Sequence, residues 1–114
     1  MEKHYKLFKI KELADGDQDF ILTIAQVFTE EVPVDILKLK EAVVQNDFES
    51  AYQAAHKLKP TLILFQLDVS STLLEIEKWG KKELKLVDVL QKLEEVVLSV
   101  ELAVAEIKED FEIC

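Results

Sequence analysis

Apolar residues recur at intervals of three and four along most of this chain, the spacing that aligns side chains on one face of an α-helix. The spacing is regular in three long segments, at about residues 18–45, 47–66 and 83–111. The first segment contains Ile21, Ile24, Phe28, Val32, Ile36, Leu39 and Val43; the second Phe48, Ala51, Ala55, Leu58, Leu62 and Phe65; the third Leu86, Leu90, Leu93, Val97, Val100, Val104, Ile107 and Phe111. Each is predicted to be a helix with one buried face, and the third should be about 40 Å long at 1.5 Å per residue.

Polar and glycine residues mark the ends of these segments. Residues 5–14 predict a short helix or an ordered arm, which Asp15-Gly16-Asp17 should end because Gly16 can adopt positive φ and Asp17 can cap the next helix. Asn46 or Asp47 can cap the helix after that. The apolar residues of this N-terminal stretch, which is expected to lie on the bundle, are Tyr5, Leu7, Phe8, Ile10 and Leu13.

A further helix is predicted between the second and third long segments. Asp68, Ser70 and Ser71 are typical of a helix start, and Gly80 is typical of a helix end. Pro33 lies inside the first long segment, where its missing N–H and its ring predict a kink or a break. Four substantial helices with short connections predict an all-α, antiparallel four-helix bundle with a short extra N-terminal helix, formed as one domain by residues 1–114.

Composition and charge restrict the classes of function. The chain is 49% hydrophobic with only two Gly and two Pro, which argues against disorder and against a turn-rich β fold. Its net charge is −9 and all of its basic residues are Lys, so neither nucleic acid nor an anionic membrane surface is an expected partner. No segment has the ~20 uncharged apolar residues of a transmembrane helix, and no signal peptide is visible. The single Cys114 favours a reducing cytoplasm.

The candidate chemistry is concentrated in the run His56-Lys57-Leu58-Lys59-Pro60. On a helix Lys59 lies about 60° from His56 around the axis, and Pro60 about 40° on the other side. Residues 47–82 hold five lysines and five acids, so this part of an acidic chain has no net charge that would repel a phosphate. A lone histidine on a helix is more often structural or solvated, and that interpretation stays open at this point.

Other kinds of site fit the sequence less well. A di-iron bundle needs Glu-x-x-His pairs, but Gln53 stands three residues before His56. The chain has no zinc-ligand spacing and no glycine-rich phosphate loop, so no metal or cofactor is expected. A Ser-His-Asp site is not excluded by sequence order, although no serine stands in a nucleophile-elbow motif.

A neutral imidazole is a good nucleophile near neutral pH, and Lys59 could neutralise the charge of a phosphoryl group carried on His56. The chain shows no metal site or base for catalysing such a transfer. We therefore expect a phosphocarrier rather than an enzyme, with a partner that brings the metal and the activated phosphoryl group. His4 is expected in the N-terminal arm, with no ammonium group fixed nearby and no role in this chemistry.

The run Asp47-Phe48-x-x-x-Tyr52-x-x-Ala55-His56-Lys57-Leu58-Lys59-Pro60 resembles the phosphoacceptor helix of histidine-containing phosphotransfer (HPt) domains. The segments Phe28–Pro33 and Leu73–Glu77 also fit that pattern, and the resemblance covers about residues 5–111. It implies that His56 receives a phosphoryl group from an aspartate of a receiver domain and passes it to another receiver. Lys59 matches the lysine that the family conserves.

Two positions depart from the family pattern, because Pro60 and Gln66 stand where the family commonly has glycine. Pro60 is still compact and leaves room for a docked protein, and its missing N–H frees the carbonyl of His56. The expected docking surface consists of Gln53, Lys57, Pro60 and Ile63.

The resemblance implies response-regulator receiver domains as partners, with a hybrid histidine kinase as a further candidate, and a protein that is monomeric and cytoplasmic. The alternative function is an interaction module, a helical bundle that binds a signalling partner without carrying phosphate. The two functions differ in one observable, since only the first leaves a phosphoryl label on the protein.

Overall fold

A computed structural model describes residues 3–83, 85 and 87–113 of the chain. These residues form five α-helices and no strand, in the order α1 (Phe8–Ala14), α2 (Gln18–Val44), α3 (Phe48–Leu64), α4 (Ser70–Gly80) and α5 (Val89–Asp110). The fold is therefore all-helical, as predicted. No helix within the described residues combines the length and the apolarity needed to cross a bilayer.

Two of the long predicted helices, α2 and α3, begin at capping aspartates. The side chain of Asp17 accepts a hydrogen bond from the Phe20 N–H at 3.1 Å, and that of Asp47 accepts one from the Ser50 N–H at 3.2 Å. Each bond satisfies one N–H that the first turn of a helix leaves without a partner. Before α2, Gly16 adopts the predicted positive φ, at 87°.

The helix α2 runs without interruption through Pro33, so a break at this position is wrong, whereas a kink stays a prediction. Proline removes one backbone donor from the helix, but buried residues continue on both sides of it, with Val32 before and Ile36 after. The burial of one continuous apolar face over 27 residues outweighs the loss of a single hydrogen bond.

Nearly all predicted core positions of the two segments that form α2 and α3 are buried, and the exceptions, Ile24 and Phe48, are half-buried. The short α1 forms where a short helix was predicted, but not all of its apolar residues are buried. Phe8 and Leu13 are 67% and 66% exposed, and only Ile10 and Ala14 of that helix are buried. A helix of seven residues that packs mainly against α2 buries a single narrow face, too narrow for every apolar residue in it.

The last helix begins later than predicted, at Val89 rather than near residue 83. At 1.5 Å per residue its 22 residues span about 33 Å. Leu90, which the spacing placed in the core, is 54% exposed, whereas Leu93, Val100 and Ile107 are buried. Leu86 lies outside the described residues. The predicted start is too early because the apolar spacing begins close to a turn that is not helical, in which Lys82 has a φ of 63°.

The helix α3 packs against α2 and α4. The helix α5 also packs against α2 and α4, and α1 packs against α2. Gly80, the last residue of α4, brings α3 and α4 close together. A Cβ atom at Gly80 would lie 2.7 Å from the Tyr52 backbone nitrogen and 2.9 Å from the Phe48 carbonyl oxygen. The helix ends at Gly80 as predicted. The φ of Gly80 is not positive, so the position needs glycine for its small size in this contact rather than for a left-handed backbone.

The N-terminal arm ties the ends of two helices together. The backbone N–H of Lys6 donates to the carbonyl of Phe65, directly after α3, at 2.8 Å. His4 donates its backbone N–H to Glu106 of α5 at 2.6 Å, and its Nδ1 lies 2.6 Å from the same carboxylate. Burial raises the pKa of Glu106, but these contacts with His4 outweigh it and hold that pKa below its usual value. His4 thus has a carboxylate of α5 as its partner, a contact that the sequence did not predict.

Candidate functional site

His56 lies on the outer side of α3, next to the buried Ala55 and thus at the edge of the apolar face. Its side chain is 60% exposed, so a molecule in solution can reach the ring. The ring packs against that of Tyr52, one turn earlier, with 5.5 Å between the ring centroids and 33° between the planes. The imidazole is thus accessible and also has a neighbour that restricts its rotation.

A buried carboxylate lies behind this ring. Glu77 of α4 is only 5% exposed, and its Oε1 lies 3.6 Å from the Nδ1 of His56. That separation is longer than a normal hydrogen bond, but it is short enough for a strong charge interaction. The ring nitrogen that faces the protein is therefore Nδ1, and the opposite nitrogen, Nε2, is on the far side of the ring from the carboxylate.

Lys59 converges on the same carboxylate. Its Nζ lies 3.3 Å from both oxygens of Glu77, and the contact with Oε1 has hydrogen-bond geometry. Oε2 is buried and has no hydrogen-bond partner within the described part of the chain. The sequence placed Lys59 beside His56 with its ammonium available for phosphate, whereas the structure shows that ammonium paired with an acid.

The arrangement of the three groups favours one tautomer of the histidine. A carboxylate near Nδ1 stabilises a proton on that nitrogen, and the lone pair of a neutral ring then lies on Nε2. The positive charge of Lys59 offsets the negative charge of Glu77, so the pair adds little net charge next to the ring. His56 can thus act as a nucleophile through its outward nitrogen.

Lys57 is directed away from this group. Its Nζ lies 3.1 Å from Oδ1 of Asp35 on α2, and Asp35 is only 5% exposed. A buried carboxylate needs a partner, and Lys57 supplies it from the surface of α3. Lys57 was predicted as part of the docking surface, and the structure gives it this structural contact on the α2 side.

The other predicted docking residues surround His56 on the exposed face of α3. Gln53 and Pro60 are exposed, and Ile63 is 41% exposed. Gln53 donates a hydrogen bond to Glu49 at 2.8 Å. The helix continues through Pro60, which has no N–H, so the carbonyl of His56 lacks the donor that the residue at this position normally supplies.

Sequence reasoning missed Glu77 and Asp35 as functional neighbours, although a signal was present for each. Glu77 follows Leu73 by four residues, and Asp35 follows Val32 by three, so each acid stands on the apolar face of its own helix. An acid at such a position is rarely buried unless a partner neutralises it. What the pattern does not give is the identity of that partner.

Two lysines after α4 were also missed as neighbours of α3. The Nζ of Lys81 lies 4.9 Å from the centre of the Tyr52 ring, and the Nζ of Lys82 lies 5.1 Å from that of the Phe48 ring. Positive charges over aromatic faces are attracted by the electrons of the ring. The aromatic side chains of α3 therefore connect His56 with a basic turn at the end of α4.

Comparisons of the chain with models of known protein families, with curated proteins and with solved structures found no significant match. The chemistry of His56 and its neighbours is therefore the basis for inferring what the protein does.

Proposed function

We propose that the protein is a histidine phosphotransfer protein of a two-component phosphorelay. His56 accepts a phosphoryl group from an aspartate of one receiver domain and gives it to an aspartate of another. The observation that carries this proposal is the exposed imidazole of His56, backed by the buried carboxylate of Glu77 and flanked by Lys59. Such a carboxylate can favour a proton on the nearer nitrogen of the ring and leave the other nitrogen free to react.

The transfer is a displacement at phosphorus. The lone pair of His56 Nε2 forms the N–P bond while the P–O bond to the receiver aspartate breaks, and the aspartate leaves as a carboxylate. The proton on Nδ1 stays in place, so the ring becomes cationic as it accepts the phosphoryl group. The carboxylate of Glu77, 3.6 Å from Nδ1, stabilises that positive charge. Return of the phosphoryl group to a second aspartate reverses these steps.

Lys59 has two tasks in this proposal. It neutralises the buried Glu77, and its ammonium is on the same side of α3 as the ring that receives the phosphoryl group. The side chain is 30% exposed, so the ammonium is not enclosed by the protein. The receiver partner supplies the divalent metal and the remaining catalytic groups, which makes this chain a phosphocarrier without a cofactor of its own.

The proposed architecture is an antiparallel bundle of α2, α3, α4 and α5, with α1 as an extra helix on α2. Each of the four helices packs against two others, and the connections α2–α3 and α3–α4 are short, which supports this arrangement. We also propose that the protein is monomeric and lies in the cytoplasm. Its proposed partners are receiver domains and a hybrid histidine kinase.

One observation favours the alternative, a module that binds a signalling partner without carrying phosphate. The carboxylate of Glu77 lies next to His56, and it would repel an incoming phosphoryl group if Lys59 did not offset its charge. The choice between the two functions therefore depends on whether the Lys59–Glu77 pair acts as a neutral unit.

Receiver domains of the source organism, phosphorylated with a small-molecule donor, provide the test. Each is incubated with the protein, and label on the protein is examined for stability in acid and base. Phosphotransfer predicts label that is acid-labile and base-stable, because the N–P bond of phosphohistidine has that reactivity. A pure binding module would form a complex with a receiver and show no label.

A further inference from the structure

The turn after α4 places two ammonium groups over the aromatic residues of α3, beside the proposed phosphoacceptor. The Tyr52 ring lies between the two sites, with its centroid 5.5 Å from that of His56 and 4.9 Å from the Nζ of Lys81. Lys82 stands over Phe48, the first residue of α3. A protein that covers the His56 ring would also lie over Tyr52 and close to this basic turn.

The backbone holds these lysines in a defined position. The N–H of Lys82 donates to the carbonyl of Trp79 at 3.0 Å, and Lys82 itself has the left-handed φ of 63°. The N–H of the following residue, Glu83, donates to Lys78 at 2.9 Å. Because Gly80 also keeps this end of α4 against the backbone of α3, the turn is fixed relative to the acceptor helix.

The charges of the two lysines are available to a partner. Lys57 and Lys59, the other lysines near His56, are engaged by the buried acids Asp35 and Glu77. By contrast, Lys81 and Lys82 are exposed, and neither forms an ion pair with any acid among the described residues. These two ammonium groups are thus exposed points of positive charge in a chain of net charge −9.

A surface cleft of about 530 Å³ lies between the turn and the start of α3. Two acids also line it, but each makes a local hydrogen bond: Asp47 caps α3, and Glu49 accepts from Gln53. The two ammonium groups suit a carboxylate-bearing side chain that enters from solvent.

We infer that Lys81 and Lys82 form a docking contact for the acidic face of a receiver domain, a contact that sets how fast the two proteins associate. The inference rests on the proposed function. A receiver that holds a divalent metal beside its phosphorylated aspartate must bind that metal with oxygen ligands, mostly carboxylates. The surface that approaches His56 is therefore acidic at its centre, and the basic turn is complementary to it.

The test uses the double variant Lys81→Gln/Lys82→Gln, which removes both charges and nearly keeps side-chain length. Lys9→Gln, an exposed lysine of α1 at the other end of the acceptor helix, is the matched control. The second-order rate of phosphoryl transfer from a phosphorylated receiver domain is measured for each protein at low and high salt. Urea unfolding checks that the variants are as stable as the parent.

We expect the double variant to react about tenfold more slowly than the parent at low salt, with the two rates converging at high salt, since salt screens exposed charges. The rate at saturating receiver should be unchanged, and Lys9→Gln should behave as the parent. An unchanged rate, or a loss of equal size at all salt concentrations, would overturn the docking contact while transfer by the parent still supports the proposed function. A parent that accepts no label from any receiver would overturn both.

Discussion

Glu77 of α4 and His56 of α3 face each other across a helix interface, with 3.6 Å between Oε1 and Nδ1. The acid is buried and the histidine is exposed, so the carboxylate acts on the ring from inside the protein. The interface is narrow because Gly80 lets the two helix backbones approach one another. The pair therefore links the packing of the bundle to the chemistry of its surface.

Glu77→Ala removes the carboxylate that favours a proton on His56 Nδ1. The transfer rate should fall by about tenfold, equivalent to ~1.4 kcal/mol in the activation free energy. Nitrogen-15 NMR of His56 should show Nδ1 protonated in the neutral parent and a mixture of tautomers in the variant. The conservative variant Glu77→Gln keeps an oxygen that can accept from Nδ1–H, and it should recover part of the rate. An unaltered tautomer and rate in Glu77→Ala would show that the acid is only structural.

Lys59→Ala and Lys57→Ala separate a chemical role from a structural one. Removal of Lys59 leaves Glu77 without its neutralising partner, so transfer should slow by roughly one to two orders of magnitude, or ~1.4–2.7 kcal/mol. Removal of Lys57 leaves transfer close to parental but lowers the free energy of unfolding by about 1 kcal/mol, because Asp35 loses its partner. Single-turnover kinetics and urea unfolding measure the two effects, and equal losses of rate would contradict the geometry.

Pro60 tests whether the exposed face around His56 is covered by the partner. Pro60→Gly keeps the space open and should preserve transfer. Pro60→Glu adds bulk and negative charge one turn from the reacting ring, and transfer should fall at least about tenfold. Circular dichroism should show the same helix content in both variants, because the side chain points to solvent. If Pro60→Glu accepted phosphate at the parental rate, docking would have to occur elsewhere.

Gly80→Ala should lower the free energy of unfolding by about 1–3 kcal/mol, because the added Cβ meets backbone atoms of α3 that cannot move aside separately. The added Cβ also pushes α4 away from α3 and so moves Glu77 away from His56, and transfer should slow as well. Gly16→Ala is the control: nothing lies within 4 Å of its Cβ, although the positive φ costs about 1 kcal/mol. A parental unfolding midpoint for Gly80→Ala would mean that the interface is looser than described.

Much of the fold follows from local sequence. The ends of α2 and α3 lie within two residues of their predicted positions, because an aspartate cap and a dense apolar stripe define each helix. The prediction was poorer where one of these signals is missing. The helix α5 begins without a side-chain cap, and α1 is too short for its apolar spacing to identify which residues are buried.

The candidate site was only partly predictable. The proximity of His56 and Lys59 follows from the 100° rotation per residue of a single helix. The position of Glu77 depends instead on how α4 packs against α3, which the close contact at Gly80 determines. A sequence can show that an acid lies on the apolar face of its helix. Which side chain pairs with that acid depends on how two helices are positioned relative to one another.

Whether His56 carries the phosphoryl group is decided most directly by locating the label. The protein is incubated with a phosphorylated receiver domain, digested at neutral or basic pH, and mapped by mass spectrometry with fragmentation that preserves the N–P bond. The phosphoryl group should be on His56, absent from a folded His56→Gln variant, and present at the parental level in His4→Gln. Label that persists in His56→Gln, or that maps to another residue, would contradict the assignment of His56 as the phosphoacceptor.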